Sequence, residues 1–149
     1  MQQEQSFEEK VRSMSGADII NAMCDGLERE WVRVQMLSFG GSTNGVCYGC
    51  AATNTICQIV GRSFDAHEIE WRSNRKDAIK CDYGFLGEFE RSIDALRSGD
   101  MQAYNSIAEK IGIAQIHKTA KVGLMTTANY RDLIPQYREL ARTQPKQEK

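Results

Sequence analysis

Apolar residues recur every three or four positions along most of this chain, the spacing of amphipathic helices. Ser6 and Glu9 form a capping-box pair and open a short helix that ends near Ser13. Ser15 with Asp18 repeats the signal, an acid standing where Glu is usual. Ile20, Met23, Cys24, Leu27, Trp31 and Val34 follow at helical spacing and predict a helix to about Leu37. Val32, Val34 and Met36 also alternate as a strand would. Gly26 weakens that helix by about 1 kcal/mol. Ser38 to Gly45 is a loop by composition. Ala51, Ala52, Ile56, Ile59 and Val60 suit a buried helix that Gly61 stops. From Phe64 to Lys80 the pattern is mixed and reads as a broken helix or a long connection.

The next stretch is the clearest. Asp82 can cap a helix whose stripe is Phe85, Leu86, Phe89, Ile93 and Leu96. Ser98-Gly99 stops it, and Asp100 caps a second helix with Met101, Tyr104, Ile107, Ala108 and Ile111 as its stripe. Gly112 ends that helix, so the pair reads as a helical hairpin. After an irregular stretch, Asn129 starts a last helix, with Pro135 expected at the first turn of its second half. The expected fold is all-α: one domain over residues 1–149, a bundle of five or six amphipathic helices with frayed polar tails at about 1–5 and 144–149.

Composition narrows the function. Nineteen Lys and Arg against twenty Asp and Glu leave a net charge of −1. That argues against a chain held to nucleic acid or anionic lipid by bulk charge. Arg72, Arg75, Lys76 and Lys80 form a basic cluster, read as a solvated face. No apolar run approaches the roughly 20 residues that span a bilayer. The polar start, MQQEQSFEEK, has no signal-peptide core. The expectation is a cytoplasmic chain with reduced thiols.

Chemistry concentrates at five cysteines. Cys47-Tyr48-Gly49-Cys50 is a CxxC, Cys57 follows on the same helix face as Cys50 and Asn54, and Cys24 and Cys81 are remote. Cys47 is expected at or just before the helix start. The set can simply pack, since free Cys behaves as a small hydrophobe. A CxxC at a helix N-terminus resembles the active-site spacing of thioredoxin-type proteins, which implies thiolates stabilised by the helix dipole. A zinc site needs four ligands, with Cys47, Cys50, Cys57 and Cys81 as candidates and Cys24, His67 and His117 available to complete a set. Finally, Asn44 to Ala51 resembles the segment that opens the catalytic helix of papain-like peptidases, written Q-G-x-C-G-S-C-W. Gly45, Cys47 and Cys50 match that pattern, while Asn44, Tyr48, Gly49 and Ala51 depart from it. The resemblance implies Cys50 as nucleophile and Asn44 in the oxyanion hole. A base is then required: His117, oriented by Asn129 or Asp132, or else His67.

No cofactor is implied. A patterned helical core without a complete catalytic set points to a protein that binds another macromolecule, either a protein partner or a second copy of itself. The alternative is a thiol-dependent activity at Cys47 and Cys50, with His117 as its base.

Overall fold

The computed structural model describes residues 6–36, 41–43, 46–61, 83–117 and 122–145. Both capping boxes form as expected. Ser6 Oγ accepts from the Glu9 N–H at 3.1 Å and starts α1 (Phe7–Arg12). Ser15 Oγ accepts from the Asp18 N–H at 3.1 Å and starts α2 (Gly16–Arg29).

The helix does not continue to Leu37. It stops at Arg29, where Glu30 turns left-handed (φ 50°, ψ 65°) and its N–H closes on the Gly26 carbonyl. Beyond it the period of two wins over the period of 3.6. Val32, Val34 and Met36 are buried while Arg33 and Gln35 are exposed, as on a strand with one covered face. β1 (Arg33–Val34) pairs in parallel with β3 (Val46–Gly49), and β2 (Gly41–Thr43) pairs antiparallel with β3, giving the order β1-β3-β2. The expected loop from Ser38 to Gly45 therefore contains a strand. Asn44-Gly45 lies between β2 and β3 in sequence, the strongest short-range hairpin signal.

β3 feeds α3 (Ala51–Val60), which Gly61 ends at φ 86°. The helical hairpin follows as predicted: α4 (Tyr83–Arg97), then α5 (Met101–Ile111), whose Asp100 cap accepts from the Ala103 N–H at 3.1 Å. α6 (Tyr130–Arg142) runs through Pro135 without a break, correcting the expected division at that residue. The carbonyl that Pro135 leaves unpaired belongs to Arg131. Both residues are exposed, so water can solvate it. The stretch from Phe64 to Lys80, Asp82, His67, Cys81 and the basic cluster lie outside the described residues.

The architecture is all-α, six helices among the described residues with one short sheet. A single apolar cluster takes residues from every helix, from Phe7 and Val11 on α1 to Leu140 and Ala141 on α6. α3 runs through it, with Ala51 to Cys57 all buried. Gly26 lets α2 come down on α3: a Cβ there would stand 2.4 Å from the Asn54 carbonyl oxygen. α6 is clamped to α2 on the outside. Arg138 donates to Asn21 at 2.9 Å and to Asp25 at 2.6 Å, and it also pairs with Glu28. Among the described residues no helix is long and apolar enough to cross a membrane.

Candidate functional site

The strand-to-helix junction decides what the CxxC can be. Cys47 is not at the helix start; it lies within β3, opposite Ser42 of β2. Cys50 is the N-cap residue of α3, with extended backbone (φ −85°, ψ −174°). An extended chain rises about 3.3 Å per residue, so the two Cα atoms stand roughly 10 Å apart. A disulfide spans at most about 7 Å between Cα atoms. The pair therefore cannot close without a backbone change.

Asn54 holds the junction. Its Nδ2 donates to the Cys50 carbonyl at 3.2 Å, and its Oδ1 accepts from the Val32 N–H at 3.2 Å. A wholly buried side chain thus joins the start of β1 to the start of α3. Thr55 bonds back to the Ala51 carbonyl at 2.7 Å. The Cys50 sulfur makes no cap hydrogen bond; it lies 3.6 Å from the Thr53 hydroxyl. This leaves the thiol half-buried at the positive end of the α3 dipole.

Cys50 opens onto a cleft of about 540 Å³ between the start of α3, the second half of α4 and the start of α5. Small apolar residues line it, among them Ala51, Ala52, Ala95 and Ala103, with Ile107 beside them. Glu90, Arg91, Asp94 and Asp100 supply its charge. Arg97 closes one wall and is only 4% exposed. Its Nε donates to Asp94 at 2.8 Å and its Nη1 to the Met125 carbonyl at 2.8 Å. These α4 and α5 groups escape a motif search. The one available signal was the Asp94–Arg97 spacing just before the SGD punctuation.

The other sequence candidates lie elsewhere. His117 is exposed and lines a separate cavity of about 390 Å³ with Arg12, Ser15 and Gln144. Its N–H donates to the Gln144 side chain at 2.9 Å. The structure does not bring His117 and Cys50 into one cavity. Asn129 is used locally, accepting from the Thr126 N–H at 2.6 Å and donating to the Leu124 carbonyl at 3.2 Å. Asp132 is exposed on α6. Cys57 and Cys24 are buried in the core. Burial pushes the Cys24 thiol up to about 12, with Arg138 nearby opposing the shift. Among the described residues no group of three or more His, Cys, Asp and Glu side chains is placed to hold a metal ion. No protein-family model, curated protein or solved structure matches the chain.

Proposed function

We propose that this protein acts by binding another protein chain, and that the cleft between α3, α4 and α5 is where it does so. One observation carries the proposal. The cleft has a lining of small apolar residues and a rim of charged ones. That is the plan of a protein-binding patch, with an apolar centre that excludes water and a polar rim that sets orientation. Four alanines in the lining leave room for side chains of the partner to enter. The walls belong to regular helices, so the surface is formed before the partner arrives and little ordering is needed on binding.

Site-specific photo-crosslinking tests the proposal. A photoreactive residue at Ser98, on the cleft, should form adducts with the partner or with a second copy of the chain. The same residue at Glu139, exposed on α6, should not. Adducts from position 139 and none from position 98 would place binding elsewhere.

The position of Cys50 favours a second reading. Cys24 and Cys57 are sealed in the core, whereas Cys50 sits at a helix start and lines the cleft. A thiol so placed is open to electrophiles that enter the cleft. Under this reading Cys50 is alkylated much faster than Cys24. A Cys50 alkylated as slowly as Cys24 would remove the thiol reading and leave the binding reading intact.

A further inference from the structure

Leu124 is the one large apolar side chain that stands exposed among the described residues, at 49%. It does not sit on a loose loop. Every residue from Gly123 to Thr127 is tied to another group. The Gly123 carbonyl accepts from the Tyr137 hydroxyl at 3.3 Å, and the Leu124 carbonyl accepts from Asn129 Nδ2 at 3.2 Å. The Met125 carbonyl accepts from Arg97 Nη1, and the Met125 N–H donates to the Arg97 carbonyl, both at 2.8 Å. The Thr126 N–H donates to Asn129 Oδ1 at 2.6 Å, and the Thr127 hydroxyl accepts from the Met36 N–H at 2.9 Å. Met125 is wholly buried while its neighbour Leu124 faces solvent. A backbone held at each residue presents that leucine as a fixed knob.

The knob adjoins the cleft. Arg97 and Ser98 line the cleft at the end of α4, and the same Arg97 holds Met125. The Val122 carbonyl lies so close to Gly99 that a Cβ there would stand 2.7 Å from its oxygen. Segment 122–125 therefore runs along the α4–α5 turn, beside residues of the cleft wall. The charges of that wall are already engaged. Asp94 pairs with Arg97 at 2.8 Å, Arg91 pairs with Glu88 at 2.9 Å, and Asp100 caps α5. Glu90 has an interaction of its own. A charged visitor would have to displace one of these partners. An apolar side chain meets Ala51, Ala52, Ala95 and Ile107 and displaces only water. A net charge of −1 also raises little repulsion between two copies of the chain.

We propose that the cleft receives Leu124 of a second copy of this chain. A knob and a cleft that adjoin on one chain suit a two-fold dimer, in which each copy places its leucine in the other's cleft. Burying a leucine in both directions supplies the attraction, and a loop already pinned pays little to be ordered on binding. The inference rests on the reading of the cleft as a protein-binding site and identifies the chain that fills it.

Sedimentation equilibrium of the full chain, from about 10 μM to about 1 mM, tests it. A reversible dimer is expected. Leu124→Ser and Ala103→Trp should each weaken it by at least about tenfold, the effect of losing a buried leucine contact, with circular dichroism showing both variants folded. An equimolar mixture of the two variants should dimerise more tightly than either variant alone. The mixed pair keeps one whole contact, the leucine of the Ala103→Trp chain in the open cleft of the Leu124→Ser chain; neither variant by itself keeps any. A chain monomeric throughout, or a dimer indifferent to Leu124→Ser, would overturn the inference. In either case Ser98 adducts with a different protein would keep the cleft reading, and their absence would overturn that reading too. A dimer weakened by Leu124→Ser but not by Ala103→Trp, or a mixture no tighter than its parts, would overturn the cleft as the place where the leucine enters.

Discussion

Gly26 is where helix propensity and packing give opposite forecasts, so replacing it measures which governs this fold. On propensity alone, Gly26→Ala should stabilise α2 by about 1 kcal/mol. The structure forecasts the reverse. The new Cβ would stand 2.4 Å from the Asn54 carbonyl oxygen, 2.8 Å from its carbon and 3.2 Å from the Thr55 nitrogen. All three are backbone atoms of α3, so no side chain can swing aside. Restoring ordinary contact requires α2 and α3 to separate by about 1 Å, and overpacking of this kind costs about 1–3 kcal/mol or more. The shift would also open the buried seam that α3 fills with Ala51, Ile56 and Cys57. Subtracting the propensity gain leaves a net destabilisation of up to about 2 kcal/mol. For a chain of 149 residues that lowers Tm by up to about 8 °C. Gly87→Ala is the control. It sits in α4, where an added Cβ meets nothing within 4 Å. It should raise Tm by about 1–4 °C through reduced freedom of the unfolded chain. Thermal unfolding followed by circular dichroism reads both. A Gly26→Ala protein as stable as Gly87→Ala would refute the close approach of α2 and α3.

Two further outcomes follow from buried groups. Asn54→Ala strands the buried Val32 N–H and should cost about 1–3 kcal/mol in chemical denaturation. An unchanged midpoint would show that Asn54 does not hold the junction. The Cys24 thiol is held protonated by burial, so the unfolded chain loses that proton first as pH rises. Stability should therefore be flat on this account below about pH 9 and fall between the unfolded thiol pKa, near 9, and the folded value of about 12. Tyr104 and Tyr137 are raised by burial in the same direction from an ordinary value near 10. Cys24→Ala should thus flatten chiefly the onset of the fall; an unaltered onset would contradict the burial of the thiol.

Most of the scaffold was legible because local signals and tertiary structure agree there. Ser6, Ser15 and Asp100 cap what they were expected to cap, and the Phe85-to-Leu96 stripe is buried as written. The failures occur where two periods overlap. Trp31 and Val34 satisfied a helix, while Val32, Val34 and Met36 satisfied a strand. The choice was made by distant groups, the Asn54 side chain and the Gly49 carbonyl, which accepts from the Gln35 N–H at 2.8 Å. No local pattern contains that information. The site shows the same division. Cys50 could be singled out from its motif, but its surroundings could not. The cleft is made by Ala95, Ala103 and Asp94, ordinary helix residues that become a site only when α4 and α5 fold back beside α3. The sequence brought His117 forward because histidines are few, and rarity says nothing about proximity.

The central claim is that the α3–α4–α5 cleft receives another protein chain. Ala103→Trp tests it most directly, because Ala103 is half-exposed and lines the cleft. An indole there fills the space the partner would use. The measurement is the dissociation constant of the partner recovered through Ser98 cross-linking, or of the self-associated form, for the wild type and for Ala103→Trp at matched thermal stability. A weakening of at least about 2 kcal/mol, roughly thirtyfold, is expected, as for a blocked interface centre. An unchanged dissociation constant in a folded Ala103→Trp protein would contradict it.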